Sequence, residues 1–126
     1  MTEPKTLITD YLRTLSGRPK PPEVVRRYVA DESLVQHIAE VEAAFPSYEI
    51  VIGDLLGEDD KVVVRGEFRG IHRGPFAGIE PTGKSVSAGL IIIYATANGR
   101  IVSHSMVFDL FGLLQQLRDS SAVQAA

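Results

Sequence analysis

The chain has no cysteine, so disulfides, zinc–thiolate sites and thiol nucleophiles are excluded. It also lacks a basic excess: 13 Lys and Arg stand against 16 Asp and Glu, giving a formal net charge of −3. A nucleic-acid-binding domain ordinarily shows the opposite balance. No apolar run approaches the ~18 residues of a membrane span. The start, Met1-Thr2-Glu3-Pro4-Lys5, is polar and has no apolar signal core. These absences predict a cytoplasmic protein with neither a nucleic-acid nor a membrane partner. Histidine is scarce, and His37, His72 and His104 match no recognisable metal-ligand spacing, so no metal is expected. There is no G-x-S-x-G elbow for a serine hydrolase.

The rest of the chain is ordinary for a folded globule. Hydrophobic residues make up 44% and charged residues 23% of 126 residues, which fits one domain over residues 1–126. Leu7, Ile8, Tyr11, Leu12 and Leu15 share one face of a first helix, stopped by Gly17 and the proline-rich segment after it. Pro22 suits the first turn of a second helix, whose apolar side carries Val24, Val25, Tyr28 and Val29. Ser33 with Gln36 three residues on predicts a capping box that opens a third helix, striped by Leu34, Ile38, Val41 and Phe45.

After Pro46 the period changes from helical to alternating. A first strand is predicted to open with Tyr48–Ile52 and to turn at Gly57-Glu58-Asp59-Asp60 into a second at Lys61–His72. Further strands are predicted at Ser85–Thr96 and Ile101–Phe108, with a Gly/Pro loop from Gly74 to Gly83 and a hairpin turn at Asn98-Gly99. Asp109 is placed to cap a last helical turn carrying Leu110, Leu113, Leu114 and Leu117, and the small polar tail 119–126 is expected to fray. Helices followed by an antiparallel meander predict an α+β fold, with a pocket between the helices and the sheet.

One motif invites a wrong conclusion. Gly78-Ile79-Glu80-Pro81-Thr82-Gly83-Lys84-Ser85 matches the phosphate-binding pattern G-x-x-x-x-G-K-[ST]. That loop needs a helix after the lysine, whose N-terminus helps to cradle phosphate. Here Val86, Ala88, Leu90, Ile92 and Tyr94 alternate as a strand, and Pro81 removes one of the N–H groups.

What remains is acid–base chemistry in an apolar pocket. His37 lies at the edge of the third helix's stripe, where it either enters the pocket or bonds a backbone carbonyl. His104 is in phase with Val102, Met106 and Phe108. A three-residue hairpin loop would set Tyr94 opposite His104 and Ile92 opposite Met106. A His–Tyr pair there could transfer protons or be a structural hydrogen bond. Asp109 is either a helix cap or a carboxylate at the pocket mouth. The catalytic candidates are therefore His104, Asp109, His37 and Tyr94; Leu90, Ile92, Met106, Phe108 and Tyr28 are the candidates for holding an apolar ligand. His72 and Arg73, at the entry to the Gly/Pro loop, are expected in solvent.

Phe68-Arg69-Gly70-Ile71-His72-Arg73-Gly74-Pro75-Phe76-Ala77-Gly78-Ile79-Glu80-Pro81-Thr82-Gly83-Lys84 resembles the signature segment of the SnoaL-like polyketide cyclase family. Asn98-Gly99-Arg100-Ile101-Val102-Ser103-His104, with the trailing Asp109 to Leu117, and Ala43-Ala44-Phe45-Pro46 resemble it too. The resemblance implies an NTF2-like cone-shaped barrel, a homodimer packed through the outer sheet face, and a cofactor-free aldol cyclisation with a pocket Asp as acid/base. It also marks two departures. The family's acid/base Asp falls at Met106, and a family histidine on the neighbouring strand falls at about Ile92. Three readings follow: an acid–base cyclase or isomerase acting on a small apolar substrate; a non-catalytic binder of such a molecule; and an epoxide-hydrolase-type enzyme on the same fold.

Overall fold

Short turns force consecutive strands to run antiparallel, and two such turns set the sheet. In the computed structural model, which describes residues 3–119, the elements are α1 (Pro4–Leu15), α2 (Pro22–Tyr28), α3 (Glu32–Ala44), β1 (Glu49–Glu58), β2 (Lys61–Ile71), β3 (Ser85–Ala97), β4 (Arg100–Phe108) and α4 (Leu110–Arg118). The strands form one meander in the order β1-β2-β3-β4. Asn98 and Gly99 have φ of 53° and 75°, so both central residues of the β3–β4 turn are left-handed, the condition for a tight hairpin. The fraying expected for the tail concerns residues that, past Asp119, lie outside those described.

The loop at Asn98-Gly99 holds two residues, not three: Ala97 pairs with Arg100. A bulge between Ala95 and Thr96 then shifts the register by one, so Tyr94 still faces His104 and Ile92 still faces Met106. Val102 is the extra residue. It is therefore turned out of phase with His104 and lies exposed, while Ile101 is fully buried in its place. A second bulge, between Ile52 and Asp54, shifts the β1–β2 register, and β1 runs on to Glu58 at the predicted turn.

The barrel expectation needs one qualification. The sheet does not close on itself; β1 and β4 are its edges, and helices complete the enclosure. At the β4 edge, Val29 makes a parallel bridge to Ile101, and the Ala30 amide donates to the Ile101 carbonyl at 2.8 Å. At the β1 edge, the Gly17 amide donates to the Tyr48 carbonyl, and the Ile50 amide donates to Ser16 Oγ. Inward side chains of β2 and β3, such as Val62, Val64, Ile92 and Tyr94, form the core with Ile8, Tyr11 and Leu12 of α1.

α3 starts at Glu32, one residue before Ser33. Its cap is Asp31, whose Oδ1 accepts from the Ser33 amide at 3.1 Å and from Ser33 Oγ at 2.6 Å. Gln36 instead pairs with Glu40. His72 is also not where it was expected. It is wholly buried, because the loop folds over it and Thr82 bonds its Nδ1 through both amide and hydroxyl. Arg73 is exposed.

Lys84 shows what the phosphate-loop look-alike does here. Its ammonium donates to the carbonyls of Gln116, Leu117 and Asp119 at 3.1, 3.1 and 2.8 Å. It thus satisfies the C-terminal end of α4, where unpaired carbonyls and the negative pole of the helix attract a cation. The segment after Lys84 is β3.

Candidate functional site

A cavity of about 290 Å³ lies between the inner face of the sheet and the helices. β3 contributes Leu90, Ile92 and Tyr94, β4 His104, Met106 and Phe108, and α3 His37, Ile38 and Val41. Tyr11 of α1, Tyr48, Phe76 of the long loop, and Leu110 and Leu113 of α4 complete much of the wall. The period-two pattern of β3 explains its share, since every second residue from Val86 to Tyr94 is buried. Two larger spaces of about 610 Å³, one along α4 and one beside Glu67 and Arg69, are open surface hollows without histidine.

The cavity is apolar except at two places. The first is its rim. His104 projects from β4, and its Nδ1 stands 3.4 Å from Asp31 Oδ2, with both side chains about four-fifths buried (19% and 18% exposed). The His37 ring stacks beside it, centroids 6.5 Å apart and planes 29° apart. A carboxylate only accepts hydrogen bonds, so His104 carries its proton on Nδ1 toward Asp31 and leaves Nε2 as the basic atom. Hydrogen bonding from Ser33 first, and from His104 second, holds the Asp31 carboxyl below its usual pKa. Burial first, and then the neighbouring His104, holds His37 below the usual histidine value. Near neutrality the trio is thus an ionised carboxylate, an oriented imidazole and a neutral imidazole.

The second polar place is the floor. Tyr11, Tyr48 and Tyr94 are 4, 7 and 2% exposed, and burial raises the pKa of each hydroxyl. Tyr94 faces His104 across the strands, as predicted. A phenol held so far above neutrality is a hydrogen-bond donor and not a base.

Of the residues singled out from sequence, His37, His104, Tyr94, Leu90, Ile92, Met106 and Phe108 all line this cavity. Asp109 does not join them. It is exposed, and its Oδ1 caps α4 by accepting from the Gly112 amide at 2.9 Å. Tyr28 also stays outside the lining: its hydroxyl bonds Thr14 Oγ1 at 3.1 Å and its ring packs behind Tyr11, 5.9 Å away. Three polar lining or rim residues were missed: Asp31, Tyr11 and Tyr48. Asp31 carried a faint signal, an Asp two residues before a helical Ser, which is a preferred cap pairing. Its approach to β4 depends on the Val29–Ile101 bridge, which no local pattern announces. Among the described residues, no group of three or more His, Asp or Glu side chains is placed to hold a metal ion, and no helix is long and apolar enough to cross a membrane.

The family model for SnoaL-like polyketide cyclases matches residues 17–117. No curated protein matches the chain. Among solved structures, TsrD from Streptomyces laurentii is 26% identical with a TM-score of 0.76, over 90% of this chain and 93% of that one. IdmH from Streptomyces antibioticus is 22% identical with a TM-score of 0.77, over 92% of this chain and 99% of that one. A SnoaL-like polyketide cyclase from Agrobacterium tumefaciens is 16% identical with a TM-score of 0.76, over 93% and 99%.

Proposed function

The chain belongs to the SnoaL-like polyketide cyclase family, and from that premise we propose that it is a cofactor-independent acid–base enzyme acting on a small apolar carbonyl compound in the cavity. One observation carries this reading: an Asp31–His104 pair sits at the rim of a mostly apolar pocket. His104 Nε2 takes a proton from the carbon next to a substrate carbonyl, and the freed electron pair moves onto the carbonyl oxygen as an enolate. The enolate carbon attacks a second carbonyl of the same molecule and closes a C–C bond. The His104 imidazolium then returns its proton to the new alkoxide, and Asp31 stabilises the charged ring in between. His37, held neutral, is a second acceptor beside it. This pair replaces the family's acid/base position, which is occupied here by Met106.

A panel of aryl β-keto esters in D2O, followed by NMR for loss of the proton α to the carbonyl, tests this. Catalysed exchange is expected, with His104→Ala slowing it by roughly 10²- to 10⁴-fold. Asp31→Asn is expected to slow it less while keeping the fold, because Asn also caps helices. If no ester exchanges faster than in buffer and the variants equal the wild type, the catalytic reading fails.

A second reading, a non-catalytic binder, draws on Ile92 and Met106. They face each other in register and make that wall of the cavity purely apolar. Binding of apolar probes without any proton exchange would favour it. For assembly, we read the outer sheet face as the seat of a second copy. Ile91, Ile93 and Val107 lie exposed there in adjacent register positions.

A further inference from the structure

The floor of the cavity holds more hydrogen-bonding capacity than the protein itself uses. Tyr11, Tyr48 and Tyr94 come from α1, the turn before β1, and β3, yet all three line one cavity. The Tyr11 and Tyr94 rings meet edge to face at 5.9 Å. Among the described residues, none of the three hydroxyls makes a hydrogen bond, and only His72 Nε2 is both sealed from solvent and unpartnered. The three phenol oxygens therefore keep some accessible surface, and the cavity is the one space that all three side chains line. Unpartnered polar groups in an apolar setting are costly unless something else satisfies them.

We propose that these three hydroxyls form an oxygen anchor, donating to a carbonyl, enolate or phenolate oxygen at the inner end of a bicyclic, otherwise apolar ligand. The ligand's size follows from the cavity, about 290 Å³, at the lower edge of the roughly 300–1,000 Å³ usual for small-molecule sites. Its orientation follows from burial. The tyrosines are nearly inaccessible, whereas Met106 and Leu110 of the same lining are 38 and 45% exposed. The choice of an acceptor oxygen follows from the rest of the lining, which is apolar apart from the two rim imidazoles. Tyr94 faces His104 in register, and such cross-strand neighbours stand roughly 4.5–5.5 Å apart at Cβ. An oxygen held at Tyr94 therefore turns the adjoining carbon toward the imidazole. The anchor rests on this cavity being the ligand site, as proposed above, but not on His104 moving a proton.

The test compares matched probes by titration calorimetry: 2-acetylnaphthalene and 2-naphthol against 2-ethylnaphthalene and naphthalene. The oxygenated probes are expected to bind more tightly. Each of Tyr11→Phe, Tyr48→Phe and Tyr94→Phe should narrow the gap by about two- to tenfold if its hydroxyl contacts the probe, and the triple variant should erase it. Thermal midpoints of the ligand-free variants should hold or rise, since phenylalanine keeps the ring and removes an unpartnered hydroxyl. His104→Ala should keep the preference for oxygen while losing proton exchange, which separates failure of the catalytic reading from failure of the anchor. Equal affinity for both probe classes in the wild type would overturn the anchor. So would a preference that survives in the triple variant, a clear fall in the midpoints, or exclusion of all four probes.

Discussion

Asp31 divides its work between its two carboxylate oxygens. Oδ1 caps α3 through Ser33, and Oδ2 orients His104. His37, six residues along the same helix, completes the rim, and its depressed pKa has a consequence for folding. The unfolded chain takes up this proton at the ordinary value of 6.5, whereas the native state resists it. The contribution to stability is therefore complete above that value and is lost as pH falls through the lower folded pKa. His104 pushes His37 in this direction and Glu40 opposes it. Urea midpoints measured between about pH 7.5 and about pH 5 should fall for the wild type, and less steeply for His37→Gln; parallel slopes would refute the assignment. Asp31 acts in a separate window, since its stabilisation begins to fade only below 3.8. At this scale the sequence was half legible. Residues that alternate along a strand disclosed their face, so His104, Tyr94 and Ile92 could be read. Asp31 could not, because its partner is 73 positions away along the chain.

α4 shows how one element is finished at both ends by residues that had looked chemical. Asp109 closes its N-terminus, and Lys84 closes its C-terminus from another part of the chain. The cap also explains Gly112, where a Cβ would collide with the Asp109 carboxylate. Asp109→Ala should cost about 1 kcal/mol in denaturant unfolding, and Asp109→Asn much less. Neither should alter proton exchange; a large loss with Asp109→Asn at unchanged stability would return the residue to the active site. The element types were all legible from hydrophobic period. Where the reading slipped, an unannounced residue intervened: the bulge at Val102 turned that side chain outward, and Thr82 drew His72 inside. Such events are set by contacts between segments, which periodicity within one segment does not encode.

For the molecule as a whole, the sheet has one face committed to the cavity and another still open. On the open face, Arg65 pairs with Asp54 and Arg69 with Glu67, around the exposed Ile91, Ile93 and Val107. A polar rim about an apolar centre suits a second copy of the chain. Light scattering on an eluting column should report a dimer for the wild type and a monomer for Ile93→Glu, with the far-ultraviolet dichroism unchanged; a monomeric wild type would remove this reading. The meander and the enclosing helices were readable as a class, because short turns leave few topologies. That the sheet stays open was not readable, since closure depends on curvature.

The same ties divide the four lysines of the chain into two chemical populations. Lys20 and Lys84 have their ammonium groups caged by carbonyl oxygens, and Lys20 by Glu42 as well. Lys5 and Lys61 stand exposed. Folding has therefore sorted otherwise equivalent amines by nucleophilic availability. An acylating reagent meets two reactive lysines in the native protein and four in the unfolded chain, so the pattern of modification is itself a record of the fold.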